Sequence, residues 1–223
     1  MSYISRVETI LTTTAGGLLA FLVGSFPTAY ILVRRNSGKD VRREGSGNVG
    51  TLNAFEVTRS RSVGIMVLGI DLLKGALPVL LIFLLRGDVF LPASAALIGV
   101  VLGHNYSPWI GWKGGRGLAP AAGATLVFNP FLVAVWVLFW GAGYAKTRDV
   151  HFGNIAATLL TPLVVLLVPD LTRRMNLFSP ERGADLPVVA VLLFALILLK
   201  HIEPLRQLFK RSGRATTRKN STT

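Results

Sequence analysis

Seven apolar stretches, each ended by a polar or charged loop, leave this 223-residue chain few ways to fold. They run at about Ala15 to Val33, Val63 to Leu85, Val89 to Leu102, Leu118 to Phe128, Phe131 to Ala145, Phe152 to Val168 and Pro187 to Leu199. Only 16% of the residues are charged, against roughly a quarter in a soluble domain. A lipid-exposed backbone must satisfy its own hydrogen bonds, so the expected fold class is an all-α membrane protein with about seven transmembrane helices. The number falls to six if residues 118–145 fold differently. Several stretches are shorter than the ~20 residues that cross the ~30 Å hydrocarbon layer, so their polar flanks must sit at headgroup depth or inside protein. The first stretch is not a signal peptide, because no small-x-small cleavage site follows it and further spans lie behind it.

The net charge of +13 would point to nucleic acid in a soluble protein. Its location argues otherwise. Eighteen of the 24 lysines and arginines fall in one alternate set of loops and the tail, and five in the other. The positive-inside rule then places the N-terminus outside and the C-terminus in the cytoplasm. Topology and anionic headgroups account for the charge, and no nucleic-acid partner is expected. Residues 1–210 read as one polytopic membrane domain, and 211–223 as a basic, Ser/Thr-rich, disordered tail. Zero cysteines exclude disulfides and thiolate chemistry.

Two glycine-rich loops fall on the predicted cytoplasmic face. One is Gly111-Trp112-Lys113-Gly114-Gly115-Arg116-Gly117, followed at once by an apolar run with Pro120 in its first turn. A glycine loop feeding a helix N-terminus suits phosphate, and Lys113 and Arg116 are pure donors. The other is Gly45-Ser46-Gly47-Asn48-Val49-Gly50-Thr51-Leu52-Asn53. Its successive amides, with Ser46, Asn48 and Asn53, form a candidate anion nest. The plainer readings are a flexible basic loop for the first, and helix capping by Ser46 or Asn53 for the second.

Asp71 and Lys74 lie within the second span at i and i+3, on one helix face. Ionisable groups at that depth are functional or pair with each other. His104, beside Asn105, precedes the first of these loops, and His201 follows the last span; either is a candidate base or an interfacial hydrogen-bonder. His151 has no constellation around it and reads as loop. No histidine is followed five residues later by aspartate, and no Gly-x-Ser-x-Gly elbow, Walker A or dinucleotide fingerprint is present. Carboxylates are too few and scattered for a two-metal site. What remains is a polar site that binds phosphates without metal or cofactor.

The motifs Gly24-Ser25-Phe26-Pro27-Thr28, Asp40-Val41-Arg42 with Gly45 to Gly50, Asp71-Leu72-Leu73-Lys74-Gly75, and Gly103-His104-Asn105-Tyr106-Ser107-Pro108 with Lys113 to Gly117 resemble the PlsY family. These are bacterial inner-membrane acyl-phosphate:glycerol-3-phosphate acyltransferases. The resemblance implies attack of the primary hydroxyl of glycerol 3-phosphate on an acyl phosphate, giving 1-acyl-glycerol 3-phosphate and phosphate. It implies a monomer in the cell inner membrane. It assigns Ser46, Lys113, Arg116 and His201 to catalysis. It assigns Gly45, Gly47, Asn48, Gly50, Asn53, His104, Asn105, Gly114, Gly115 and Gly117, with Asp71 and Lys74, to substrate binding. Phosphate is a good leaving group, so the protein's task is positioning and charge neutralisation.

Three positions depart from the family pattern. Glu56 stands where the family has an arginine serving the glycerol phosphate, Arg116 where it has lysine, and Pro204 where its third motif carries asparagine. Glu56 leaves open a diverged acyltransferase with a less anionic acceptor. A non-catalytic anion-binding or transport protein is the third alternative.

Overall fold

The computed structural model describes residues 3–84, 89–175 and 185–206. The Arg86-Gly87-Asp88 stop and the 211–223 tail lie outside them. Within them the chain is helical: α1 (Tyr3–Gly24), α2 (Thr28–Ser37), α3 (Thr51–Thr58), α4 (Arg61–Phe83), α5 (Phe90–Asn105), α6 (Leu118–Phe128), α7 (Pro130–Thr147), α8 (Val150–Leu167), α9 (Pro169–Arg174) and α10 (Leu186–Leu199). The seven apolar stretches reappear as α1–α2, α4, α5, α6, α7, α8 and α10. By length and hydropathy the segment Ile4–Ser37, α4 and α8 suffice to cross a bilayer, while α6 and α10 are shorter. Residues 118–145 are split at Asn129-Pro130, where Pro130 opens α7 and the missing N–H falls where a helix needs none.

Helix α1 begins well before the first apolar stretch. Its first turns carry threonines that turn their hydroxyls back onto the helix: Thr9 Oγ1 donates to Ser5 O, and Thr12 Oγ1 to Glu8 O, both at 2.8 Å. The predicted break at Pro27 is present, and three side chains pin it. Ser107 Oγ donates to Ser25 O at 2.6 Å, Trp109 Nε1 to Ser25 Oγ at 2.8 Å, and Lys74 Nζ to Phe26 O at 2.9 Å.

Backbones meet where side chains are smallest. A Cβ on Gly99 of α5 would overlap Gly17 O of α1, and one on Gly123 of α6 would overlap Leu72 O of α4. Lipid tails are as apolar as leucine, so membrane helices associate through such close packing rather than through exclusion of water. The main core joins α5, α6 and α10 around Phe90, Leu97, Phe128 and Leu193. A second core of Val33, Val41, Val49 and Val67 lies under the glycine loop that precedes α3. Leu18, Leu81, Leu138, Leu167 and Val188 point outward, each more than half exposed, as lipid-facing residues do.

Candidate active site

The two glycine loops touch. A Cβ added to Gly115 would fall 2.6 Å from Val49 O and would also strike His104 Nε2. Arg42 ties the loops together from the side. Its fork bonds Asp40 (Nε to Oδ1 2.9 Å, Nη2 to Oδ2 2.6 Å), and its Nη1 donates to Ile110 O at 3.1 Å. The guanidinium also lies 4.8 Å from the Tyr30 ring centre. Chiefly through that hydrogen-bonded fork, the Asp40 carboxyl is held down at about 2.

Several of the loop amides are already taken up by protein acceptors. Ser46 N donates to Asn53 Oδ1 at 2.9 Å, Gly47 N to Glu44 O at 2.9 Å and Gly50 N to Asn48 O at 3.1 Å. In the other loop Gly115 N donates to His104 O at 3.0 Å, and Trp112 N to Ser107 O at 2.8 Å. Asn53 is the hub of its loop. Its Nδ2 reaches Val41 O, Glu44 O and Asn48 O at 3.0 to 3.1 Å, and its side chain is buried. It therefore organises the loop; neither it nor Ser46 caps α3, whose N-cap is Gly50 with no side-chain bond. Gly114 and Gly117 are required for contact, since a Cβ on either would overlap the end of α5 at His104 O or Asn105.

What the loops do is aim helix starts at one cavity of about 450 Å³. Gly50, Thr51 and Leu52 bring the start of α3 to its wall, and Gly117, Leu118 and Ala119 that of α6. Neither start has a side-chain cap. First-turn N–H groups lack helical partners and carry the positive end of the helix dipole. A third start, that of α8, arrives with Val150 and His151 but is already closed: Asp149 Oδ1 accepts from His151 N at 2.7 Å and Phe152 N at 3.1 Å. Two open helix ends thus face the cavity.

Arg116 lines the same mouth. Burial lowers its pKa first, and the charge of Glu56 raises it. Its Nη1 lies 3.2 Å from His151 Nδ1. Asn48, Asp71, His104 and Asn154 complete the polar end. Asp71 and Lys74 form the expected pair, Nζ to Oδ1 2.9 Å, with His104 Nδ1 4.0 Å from the other carboxylate oxygen. The rest of the wall is apolar, with Leu132, Trp136 and Trp140 of α7 facing Leu193, Phe194 and Ile197 of α10. Trp136 Nε1 also reaches Thr158 Oγ1 of α8 at 3.3 Å. One end suits an anion and the other a hydrocarbon chain.

Six of the sixteen sequence-derived site residues line the cavity, Asn48, Gly50, Asp71, His104, Arg116 and Gly117, and the other ten do not. Lys113 and Ser46 are exposed, and neither lines the cavity. His201 is wholly buried after α10 and does not line it either. Its Nδ1 faces Ile197 O at 2.8 Å, so Nδ1 carries the proton, and Nε2 has no partner among the described residues. Burial pulls its pKa down to about 4, helped by the charge of Arg116. Asn105 is buried at the foot of α5 with both amide atoms unpartnered among the described residues, its Oδ1 2.7 Å from where a Gly117 Cβ would stand. Conversely His151, read from sequence as loop, lies in the cavity wall. The Asp149-x-His spacing of an N-cap was the available signal for its position.

The family model described as glycerol-3-phosphate acyltransferase matches residues 15–211. Relatives carrying that name include one from Geobacter sulfurreducens, 37% identical over 204 residues, covering 90% of this chain and 93% of the relative. Glycerol-3-phosphate acyltransferase 2 of Moorella thermoacetica is 43% identical over 149 residues, 67% of this chain and 75% of its own. Among solved structures, PlsY, an integral membrane glycerol 3-phosphate acyltransferase, is similar in its glycerol 3-phosphate form with a TM-score of 0.75 and 27% identity, over 89% of this chain and 92% of that one. Its lysophosphatidic acid form gives a TM-score of 0.71. With its apolar helices, this chain is a multi-pass membrane protein, and it belongs to the glycerol-3-phosphate acyltransferase family.

Proposed function

We propose that this protein transfers a fatty acyl group from an acyl phosphate to the primary hydroxyl of glycerol 3-phosphate, releasing inorganic phosphate and 1-acyl-glycerol 3-phosphate. The carrying observation is the joining of two open helix starts and Arg116 to an apolar trough in one cavity. The acyl chain lies between α7 and α10, and the phosphates sit at the starts of α3 and α6. The hydroxyl oxygen attacks the acyl carbon, the bond to the phosphate oxygen breaks, and the phosphate leaves with that bond's electron pair. The hydroxyl proton passes to solvent or to a phosphate oxygen. Developing negative charge is met by donors already in place, and this fixed electrostatic stabilisation is what such a site supplies. Lys113, at the exposed rim, and Ser46 guide the anions inward. The mouth faces the cytoplasm, in the inner membrane, and the chain acts as a monomer.

The test is purified protein in detergent or lipid, given palmitoyl phosphate and a panel of acceptors, with phosphate release measured. Glycerol 3-phosphate should be the acceptor that drives release; release without acceptor dependence refutes the reading. A second reading, a different and less anionic acceptor, is favoured by one observation: the Glu56 charge acts on Arg116. On the first reading Glu56→Gln lowers the KM for glycerol 3-phosphate severalfold, because a competing carboxylate leaves. On the second it raises the KM of the true acceptor.

A further inference from the structure

Arg116 reaches its neighbour His151 across 35 positions of sequence, with Nη1 3.2 Å from Nδ1. An arginine offers only donors, so Nδ1 must be the acceptor and the imidazole must be neutral with its proton on Nε2. The contact is built from two elements. Asp149 caps α8 and fixes the backbone of His151, while Gly115 and Gly117, pressed against His104 and Asn105, fix the backbone of Arg116. Both side chains line the cavity. A guanidinium has five donors in a rigid fork. Holding one of them on His151 fixes the plane of the rest and aims them at the mouth.

We infer that His151 is a positioning residue for the transfer reaction, holding the Arg116 guanidinium in its working orientation, and that protonation of His151 releases it. This rests on the acyl-transfer reading above. A protonated imidazole turns Nδ1 into a donor, and two donors facing each other at that distance cannot bond. Arg116 then swings freely, and the oriented donors are lost although the local positive charge rises. The effect therefore falls on kcat rather than on KM. Other charged and titratable groups share the neighbourhood: Asp149 on α8, His201 after α10, Asp71 and His104 on the facing wall, and Glu56 acting on Arg116. Substrate phosphate titrates in the same range. Attribution to His151 must therefore come from the variants.

The substitution His151→Asn keeps an acceptor near the Nδ1 position and cannot titrate; His151→Leu removes the acceptor. In the phosphate-release assay, wild type should lose kcat on the acid side, where the imidazole takes up a second proton. His151→Asn should keep kcat within about twofold at pH 7.5 and lose that limb, and His151→Leu should drop kcat about tenfold at an unchanged KM. These sizes are those of one misplaced positioning group. A second measurement needs no turnover. Nitrogen-15 spectra of histidine-labelled protein should show His151 as the neutral Nε2–H form at pH 7.5, with an Nδ1 signal that moves in Arg116→Gln. The inference is overturned if Nδ1 carries the proton, if that signal ignores Arg116→Gln, or if His151→Leu matches an active wild type in kcat and pH profile. An inactive wild type with the expected nitrogen signals refutes the acyl-transfer reading and leaves the Arg116 contact established.

Discussion

Arg116 carries the largest burden assigned to any one side chain. It is a cation held partly out of water beside two open helix starts. Arg116→Ala should lower kcat/KM about 100-fold, the cost of losing one fixed donor to developing charge; steady-state phosphate release checks it, and Arg116→Lys should recover only part. Asn53 makes a different prediction. Asn53→Ala strips partners from a backbone N–H and three carbonyls and should cost about 1–3 kcal/mol. Thermal unfolding in detergent reads that loss, and activity should fall with it because the start of α3 loses its aim. From sequence, Asn53 was visible as a polar residue in a glycine loop, but which atoms it serves depends on how the loop closes. His151 was illegible for a related reason: its partner is 35 residues away, and no spacing rule links a helix start to a distant loop.

Helices were the most legible level. Hydropathy located all seven apolar segments, and their ends shifted by a few residues where polar groups joined the helix. The large miss was the start of α1, whose threonine-rich turns are too polar to mark a span yet bond back to their own helix. Less visible was which helices pair. Gly17, Gly99, Gly123 and their neighbours reveal it only once backbones are seen touching. Gly99→Leu should therefore force α1 and α5 apart. Overpacking of this kind costs about 1–3 kcal/mol, seen as a lower midpoint in detergent melts, whereas Gly69→Leu, with open space around it, should leave the midpoint unchanged.

Across the molecule, stability should fall in mild acid. His201 is neutral in the fold, with its pKa drawn down to about 4 from an ordinary 6.5. The unfolded chain therefore takes up its proton first as pH drops. The contribution of His201 is complete above about 6.5, weakens below it, and is lost as pH falls through about 4. His201→Gln should flatten that part of the pH–stability curve in detergent. The loop pairing that makes the site was foreshadowed by charge, since both glycine loops fell on the same predicted face, but not the source of its donors. Sequence pointed to loop amides, and several of those are taken up by acceptors in the protein itself. On the proposed function, the helix starts they present share that role. The absence of cysteine allows this claim to be tested directly. Thr51→Cys places a single thiol in the cavity wall at the open start of α3, and Ser37→Cys places one outside the cavity. Glycerol 3-phosphate at saturating concentration should slow maleimide labelling of the first at least tenfold and leave the second unchanged; equal labelling of Thr51→Cys with and without substrate, in protein that still turns over, would contradict the account.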